Sequence, residues 1–119
     1  MMRPTQLHWS VYVCSQHIDF RKGIWSLAVL VESQLILNPF AESLYVFRNR
    51  SATSIKLLYW ERNGFCLWQK RLEKEKFVWP KPSSSGCVTL TLQQLNWLLD
   101  GYDINRMKPH QSIEYQSVL

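Results

Sequence analysis

Glycine is scarce in this chain, four residues in 119, and none stands in a glycine-rich phosphate-binding loop, which removes the commonest nucleotide-hydrolysing machinery. The three cysteines, Cys14, Cys66 and Cys87, are odd in number, widely spaced and form no CxxC pair. They are expected to be reduced and unliganded, neither a disulfide framework nor a zinc site. His8, His17 and His110 show no HxxxH or HExxH spacing, so neither a metal nor any other cofactor is expected. The longest apolar-rich stretch, residues 23–37, is interrupted by Ser26, Glu32, Ser33 and Gln34 and falls short of the roughly 20 apolar residues of a membrane span. No apolar segment follows Arg3 within the first eight residues, so no secretory leader is expected and the protein should act in the cytoplasm. Acidic residues number nine, but each of the plausible ones has a local explanation. Asp19 suits a helix cap, Glu32 and Asp100 a helix surface, and Glu61, Glu73 and Glu75 stand beside lysine or arginine. No triad emerges that could hold two metal ions about 3.5–4 Å apart around a phosphate. Ser51 and Ser54, near Arg48 and Arg50, are read as turn residues rather than nucleophiles. The expectation is a protein that is not an enzyme, with no catalytic residue.

What the chain does have is enough apolar content, 46 %, for one core and one domain. That domain is expected over residues 1–104, with a polar, poorly ordered tail over 105–119. Val11-Tyr12-Val13 reads as a first strand. Ile24, Leu27, Ala28, Val31 and Leu35 recur at helical spacing, with Asp19 as the expected cap and Asn38-Pro39 as the stop. Residues 44–47 form a second strand, 77–79 a further short one, and 87–90 another. Thr91 and Gln94 make a capping box for a second helix. Leu90 and Leu95 form its staple, Leu92, Leu95, Leu98 and Leu99 its apolar stripe, and Gly101 its left-handed terminus. The class is α+β: a mostly antiparallel sheet of hairpins with two α-helices.

The strongest local signal is Asn63-Gly64 between two long apolar-rich runs, the mark of a two-residue hairpin turn with positive φ at both central positions. Centred there, the turn pairs Arg62 with Phe65, Trp60 with Leu67 and Lys56 with Arg71. One face of the hairpin, with Ile55, Leu57, Tyr59, Cys66, Trp68 and Leu72, is the expected core side. The other, with Lys56, Leu58, Trp60, Arg62, Phe65, Leu67, Gln69 and Arg71, mixes cations with aromatics and is expected to face solvent. Trp25 and Trp97 are expected to be packing residues. Between Arg48 and Lys81 nine basic residues meet three acidic ones, net +6 against +5 for the whole chain. A basic segment in an otherwise near-neutral domain suits a polyanion, because neutralising phosphates releases counterions.

The ordered series Asp19-Phe-Arg-Lys-Gly23, Tyr45-Val-Phe-Arg-Asn-Arg50, Ile55-Lys-Leu-Leu-Tyr-Trp60, Asn63-Gly-Phe-Cys-Leu-Trp68, Lys70-Arg-Leu-Glu73, Phe77-Val-Trp-Pro80 and Leu98-Leu-Asp-Gly101 closely resembles the second-open-reading-frame accessory protein of the insertion-sequence-66 family of transposable elements. The resemblance covers residues 11–103. Glu75 departs from it, standing where many relatives carry glycine. The resemblance implies a place in a DNA transposition system whose larger transposase carries the catalytic carboxylates. No membrane is implied, and the oligomeric state is left open. Combining it with the charge pattern, the expected DNA-binding residues are Arg21, Lys22, Arg48, Arg50, Lys56, Trp60, Arg62, Lys70, Arg71, Lys74 and Lys76. The alternative for the same basic-aromatic surface is docking onto the partner transposase, since Trp, Tyr and Arg also dominate binding hot spots.

Overall fold

A computed structural model describes residues 8–107. β1 (Ser10–Cys14), β2 (Ser43–Arg48), β3 (Ser54–Glu61), β4 (Gly64–Arg71) and β5 (Cys87–Leu90) form one sheet in the order β4-β3-β2-β1-β5. Three of the four neighbouring pairs are antiparallel, and β1 and β2 are parallel. The parallel pair requires a crossover rather than a tight turn, and α1 (Ile24–Ser33) supplies it. The fold is α+β, as the sequence indicates, but its centre is a β-α-β unit and not a hairpin.

Both faces of the sheet are covered. On one, Val11, Val13, Leu44, Val46, Ile55, Leu57 and Tyr59 pack with Leu95, Leu98 and Leu99 of α2 (Leu92–Leu99) and with Phe77 and Ile104. On the other, Tyr45, Phe47 and Leu58 pack against Leu27, Ala28, Leu30 and Val31 of α1. A strand buried on both sides needs a continuous apolar run, and Leu44, Tyr45, Val46 and Phe47 are each at most 1 % exposed. Leu58 and Lys56, expected on an open face, are 0 % and 6 % exposed, because α1 lies over Leu58 and the loop leading into α1 lies over Lys56.

The hairpin forms, with its turn one residue earlier than expected. Arg62 and Asn63 are the central pair, Glu61 faces Gly64, and Trp60 faces Phe65. Only Arg62 takes positive φ, +54°. Opposed pairs therefore shift by two: Lys56 faces Gln69, and Arg71 faces Ser54. The shift separates two cations that would repel across the ladder. Because it is an even number, every side chain keeps its expected face.

Three further expectations change. Asp19 does not cap α1, whose N-cap is Gly23 with no side-chain bond; its carboxylate turns back to the Arg21 amide, at 2.9 Å. α1 ends at Ser33, ahead of Asn38-Pro39: Ser33 Oγ donates to Val29 O, the Gln34 and Leu35 amides share Leu30 O, and Ile36 turns left-handed at φ +56°. Residues 77–79 form no strand. They are pinned singly, the Phe77 amide to Ala52 O and Trp79 Nε1 to Cys14 O, so neighbouring backbone groups find no ladder.

The α2 expectations hold. Thr91 Oγ1 accepts from the Gln94 amide at 3.0 Å, Gln94 Oε1 accepts from the Thr91 amide at 2.9 Å, and Gly101 has φ +90°. Thr91→Ala should lower stability by about 1 kcal/mol, measured as a shift in urea midpoint at constant slope. Ile104, at the end of the expected domain, is buried, and one residue beyond it Asn105 bonds Trp79 O and the Lys81 amide. The rest of the expected tail, 108–119, and residues 1–7 lie outside the described residues.

Candidate nucleic-acid interface

Because β1 and β2 are parallel, the chain leaves both at the same end of the sheet, where β3 begins and β4 ends. Three backbone bonds clasp the connecting loops there. The Ile18 amide donates to Arg48 O at 3.0 Å, the Leu72 amide to Thr53 O at 2.9 Å and the Phe77 amide to Ala52 O at 2.7 Å. The turn between β2 and β3 is organised by Asn49, whose Oδ1 accepts from the Thr53 and Ser54 amides at 2.9 and 3.0 Å. The chain between Leu72 and Phe77, which carries Lys74 and Lys76, therefore projects from that turn. A cleft at this end is lined by His17, Ile18, Asp19, Phe20, Asn49, Arg50 and Ser51. His17, Asn49 and Ser51 are polar groups that sequence reasoning did not select; only the place of Asn49 between two arginines hinted at its role.

Seven of the eleven expected residues meet at this end: Arg21, Lys22, Arg48, Arg50, Arg71, Lys74 and Lys76. Two are partly committed elsewhere. Arg21 grips Asp19 through Nη2 and Oδ2 at 2.6 Å, and its hydrogen bonds hold the Asp19 carboxyl well below the usual carboxylate range. Arg48 is half-buried, donates to the carbonyls of Asn49 and Arg50, and lies 5.8 Å from the centre of the Trp79 ring. The remaining five, Lys22, Arg50, Arg71, Lys74 and Lys76, are exposed. Among the described residues none of their side chains has an ion-pair partner.

The other four do not join this group of free cations. Lys56 is buried under the loop leading into α1, donating to the carbonyls of Phe20 at 2.8 Å and Lys22 at 2.9 Å, with Nζ 4.6 Å from the Phe20 ring centre. Burial pushes its ammonium pKa down, opposed by the charge of Asp19. It is an internal brace for the loop that carries Arg21 and Lys22. Lys70 Nζ donates to Leu99 O at 2.8 Å, where a cation also complements the negative end of α2. Trp60 and Arg62 lie at the opposite end of the sheet. Trp60 packs edge-on against Phe40 and Phe65, at 5.0 and 4.9 Å between ring centres. The continuous cation-aromatic sheet face expected from the hairpin is thus absent, and a cluster of loops takes its place. Trp97 packs against the core, whereas Trp25 is 70 % exposed, contrary to the packing role expected for it.

Cys14, Cys66 and Cys87 are free, and burial raises the Cys14 thiol pKa. Among the described residues no group of three or more His, Cys, Asp or Glu gathers closely enough to hold a metal ion, and no helix is long and apolar enough to cross a membrane.

No solved structure matches the chain. Two proteins of Sinorhizobium fredii (strain NBRC 101917 / NGR234) are similar to it. Uncharacterized protein y4hO is 38 % identical over 102 residues, 86 % of this chain and 88 % of that protein. Uncharacterized protein y4jC is 33 % identical over 98 residues, 82 % of this chain and 83 % of that protein. The family model described as IS66 Orf2-like protein matches residues 9–109, a span that includes every strand and helix of the described residues and all of the clustered cations, and the chain accordingly belongs to the IS66 Orf2-like family.

Proposed function

We propose that this protein is a non-catalytic accessory factor of insertion-sequence transposition, acting in the cytoplasm beside the element's transposase and binding DNA phosphates through the basic end of its sheet. The observation that carries the reading is the convergence of Lys22, Arg50, Arg71, Lys74 and Lys76 on one end of the molecule, exposed and without carboxylate partners among the described residues. Loop-borne cations on a rigid sheet suit backbone contacts, which position a protein on nucleic acid without reading sequence. The non-catalytic part is supported by where the carboxylates go. Asp19 pairs with Arg21, Glu42 with His8 and Asp103 with Arg106.

A mobility-shift titration on element-end DNA and on unrelated DNA, repeated across a salt series, tests the proposal. If all five cations meet phosphates, the logarithm of affinity should fall with the logarithm of salt at a slope of about −4 to −5. Absence of binding at low salt would defeat the DNA assignment and leave the basic end to the transposase.

A further inference from the structure

We propose that Cys14 and Cys87 form a reversible modification site, two thiols that a peroxide converts into one disulfide within the chain. β5 is the last strand of the sheet, next to β1, and in their antiparallel ladder Cys14 stands directly opposite Cys87. Opposed residues project to the same face of a sheet. The next pair outward is Ser15 and Gly86, joined by the Ser15 amide donating to Gly86 O at 2.9 Å. Hydrogen-bonded and non-hydrogen-bonded pairs alternate along such a ladder. Cys14 and Cys87 are therefore a non-hydrogen-bonded pair, the closer kind, with Cα atoms about 4.5 Å apart. A disulfide accepts Cα separations of about 4.4–6.8 Å. The bridge closes with the ladder in place, at the short limit of that range, where disulfides are more readily reduced again.

Burial sets the order of events. Cys87 is half-buried on the edge strand, whereas Cys14 is 5 % exposed and burial pushes its thiol pKa up. Cys87 is the thiol that a small oxidant reaches first. Its thiolate attacks one peroxide oxygen and the O–O bond breaks. A sulfenic acid forms, and the other oxygen leaves as hydroxide, which takes up the proton the thiol released. The Cys14 sulfur then attacks the Cys87 sulfur: the S–S bond forms, the S–O bond breaks, and that oxygen leaves as water with the Cys14 proton. Two thiols have lost two hydrogens, and the peroxide has become two waters. Cys66 is placed outside this chemistry. It lies on β4, at the other edge of the sheet, and packs on the α2 side, whereas Cys14 packs on the α1 side. At rest all three cysteines are free, as suits a compartment in which disulfides are transient and redox-sensing. Once formed, the bridge fastens the edge strand where β1 leaves for the basic loops. It also anchors one end of residues 72–86, the segment that carries Lys74 and Lys76.

Peptide mapping of the full chain, treated natively with hydrogen peroxide and then alkylated in denaturant, tests the site without DNA and so independently of the DNA assignment. Before treatment all three cysteines should carry the alkyl label. Afterwards Cys14 and Cys87 should appear as one linked pair of peptides, lighter by two hydrogens. Cys66 should still be labelled, and dithiothreitol should restore all three. Cys66→Ser should form the same bridge. Cys14→Ser should stop at the Cys87 sulfenic acid, which dimedone captures. Three labelled cysteines after peroxide would overturn the proposal, as would a bridge that includes Cys66, a bridge between two chains, or a bridge that forms only when the chain is unfolded in urea.

Discussion

Alanine at Leu58 is expected to destabilise the fold by about 2–5 kcal/mol, as much as alanine at its neighbour Leu57. Consecutive strand residues point to opposite faces. In a sheet with one solvated face, one of these two substitutions would be nearly neutral, within about 0.5 kcal/mol. Here both side chains are 0 % exposed, Leu57 in the core under α2 and Leu58 in the core under α1. Each deletion leaves a cavity among close-packed neighbours that relax only in part. Urea denaturation of the two variants measures it. A loss at Leu57 without one at Leu58 would mean that α1 does not cover the sheet.

Replacing Arg50, Arg71, Lys74 and Lys76 together by alanine should weaken DNA binding about a thousandfold at moderate salt and flatten the salt slope by about 4, one released counterion for each lost phosphate contact. Stability should hardly change, because these side chains are exposed and engage no hydrogen bond or ion pair among the described residues. Fluorescence-anisotropy titrations of parent and variant at several salt concentrations provide both quantities. Lys70→Ala serves as the internal comparison. Its ammonium is held by the Leu99 carbonyl, so the variant should lose stability and keep the parental salt slope. A quadruple variant that folds and binds with the parental slope would end the assignment of this end to DNA.

Much of the fold was legible locally, and the reasons are local. The capping box at Thr91 and Gln94, the left-handed Gly101 and the apolar runs of β1 and β2 each depend on residues within one turn or one strand. The facing of every residue in β3 and β4 also followed from alternation alone, and survived a register shift of two because the pleat repeats every second residue. The exact turn did not. Asn63-Gly64 offered a favourable pair, but the ladder closes one residue earlier and so avoids setting Arg71 against Lys56.

The candidate site was legible as a list of residues and not as a place. Charge density in the sequence marked the basic segment, and seven of the eleven selected residues, Arg21 and Lys22 from outside that segment among them, do share one end of the sheet. Their meeting depends on the parallel pairing of β1 with β2, which brings the loop after Asp19 beside the turn after Arg48. A one-dimensional pattern contains no such pairing. For the same reason Lys56 looked like a surface cation. Only the tertiary structure lays the loop before α1 across it and turns its ammonium onto the Phe20 and Lys22 carbonyls, because what covers a strand is decided by segments distant in the chain. The sequence by itself determined the elements, the charge balance and the facing of the hairpin, all set by neighbours along the chain. Strand order, the double cover of the sheet and the gathering of the free cations were decided by burial, which acts between residues that the sequence keeps apart.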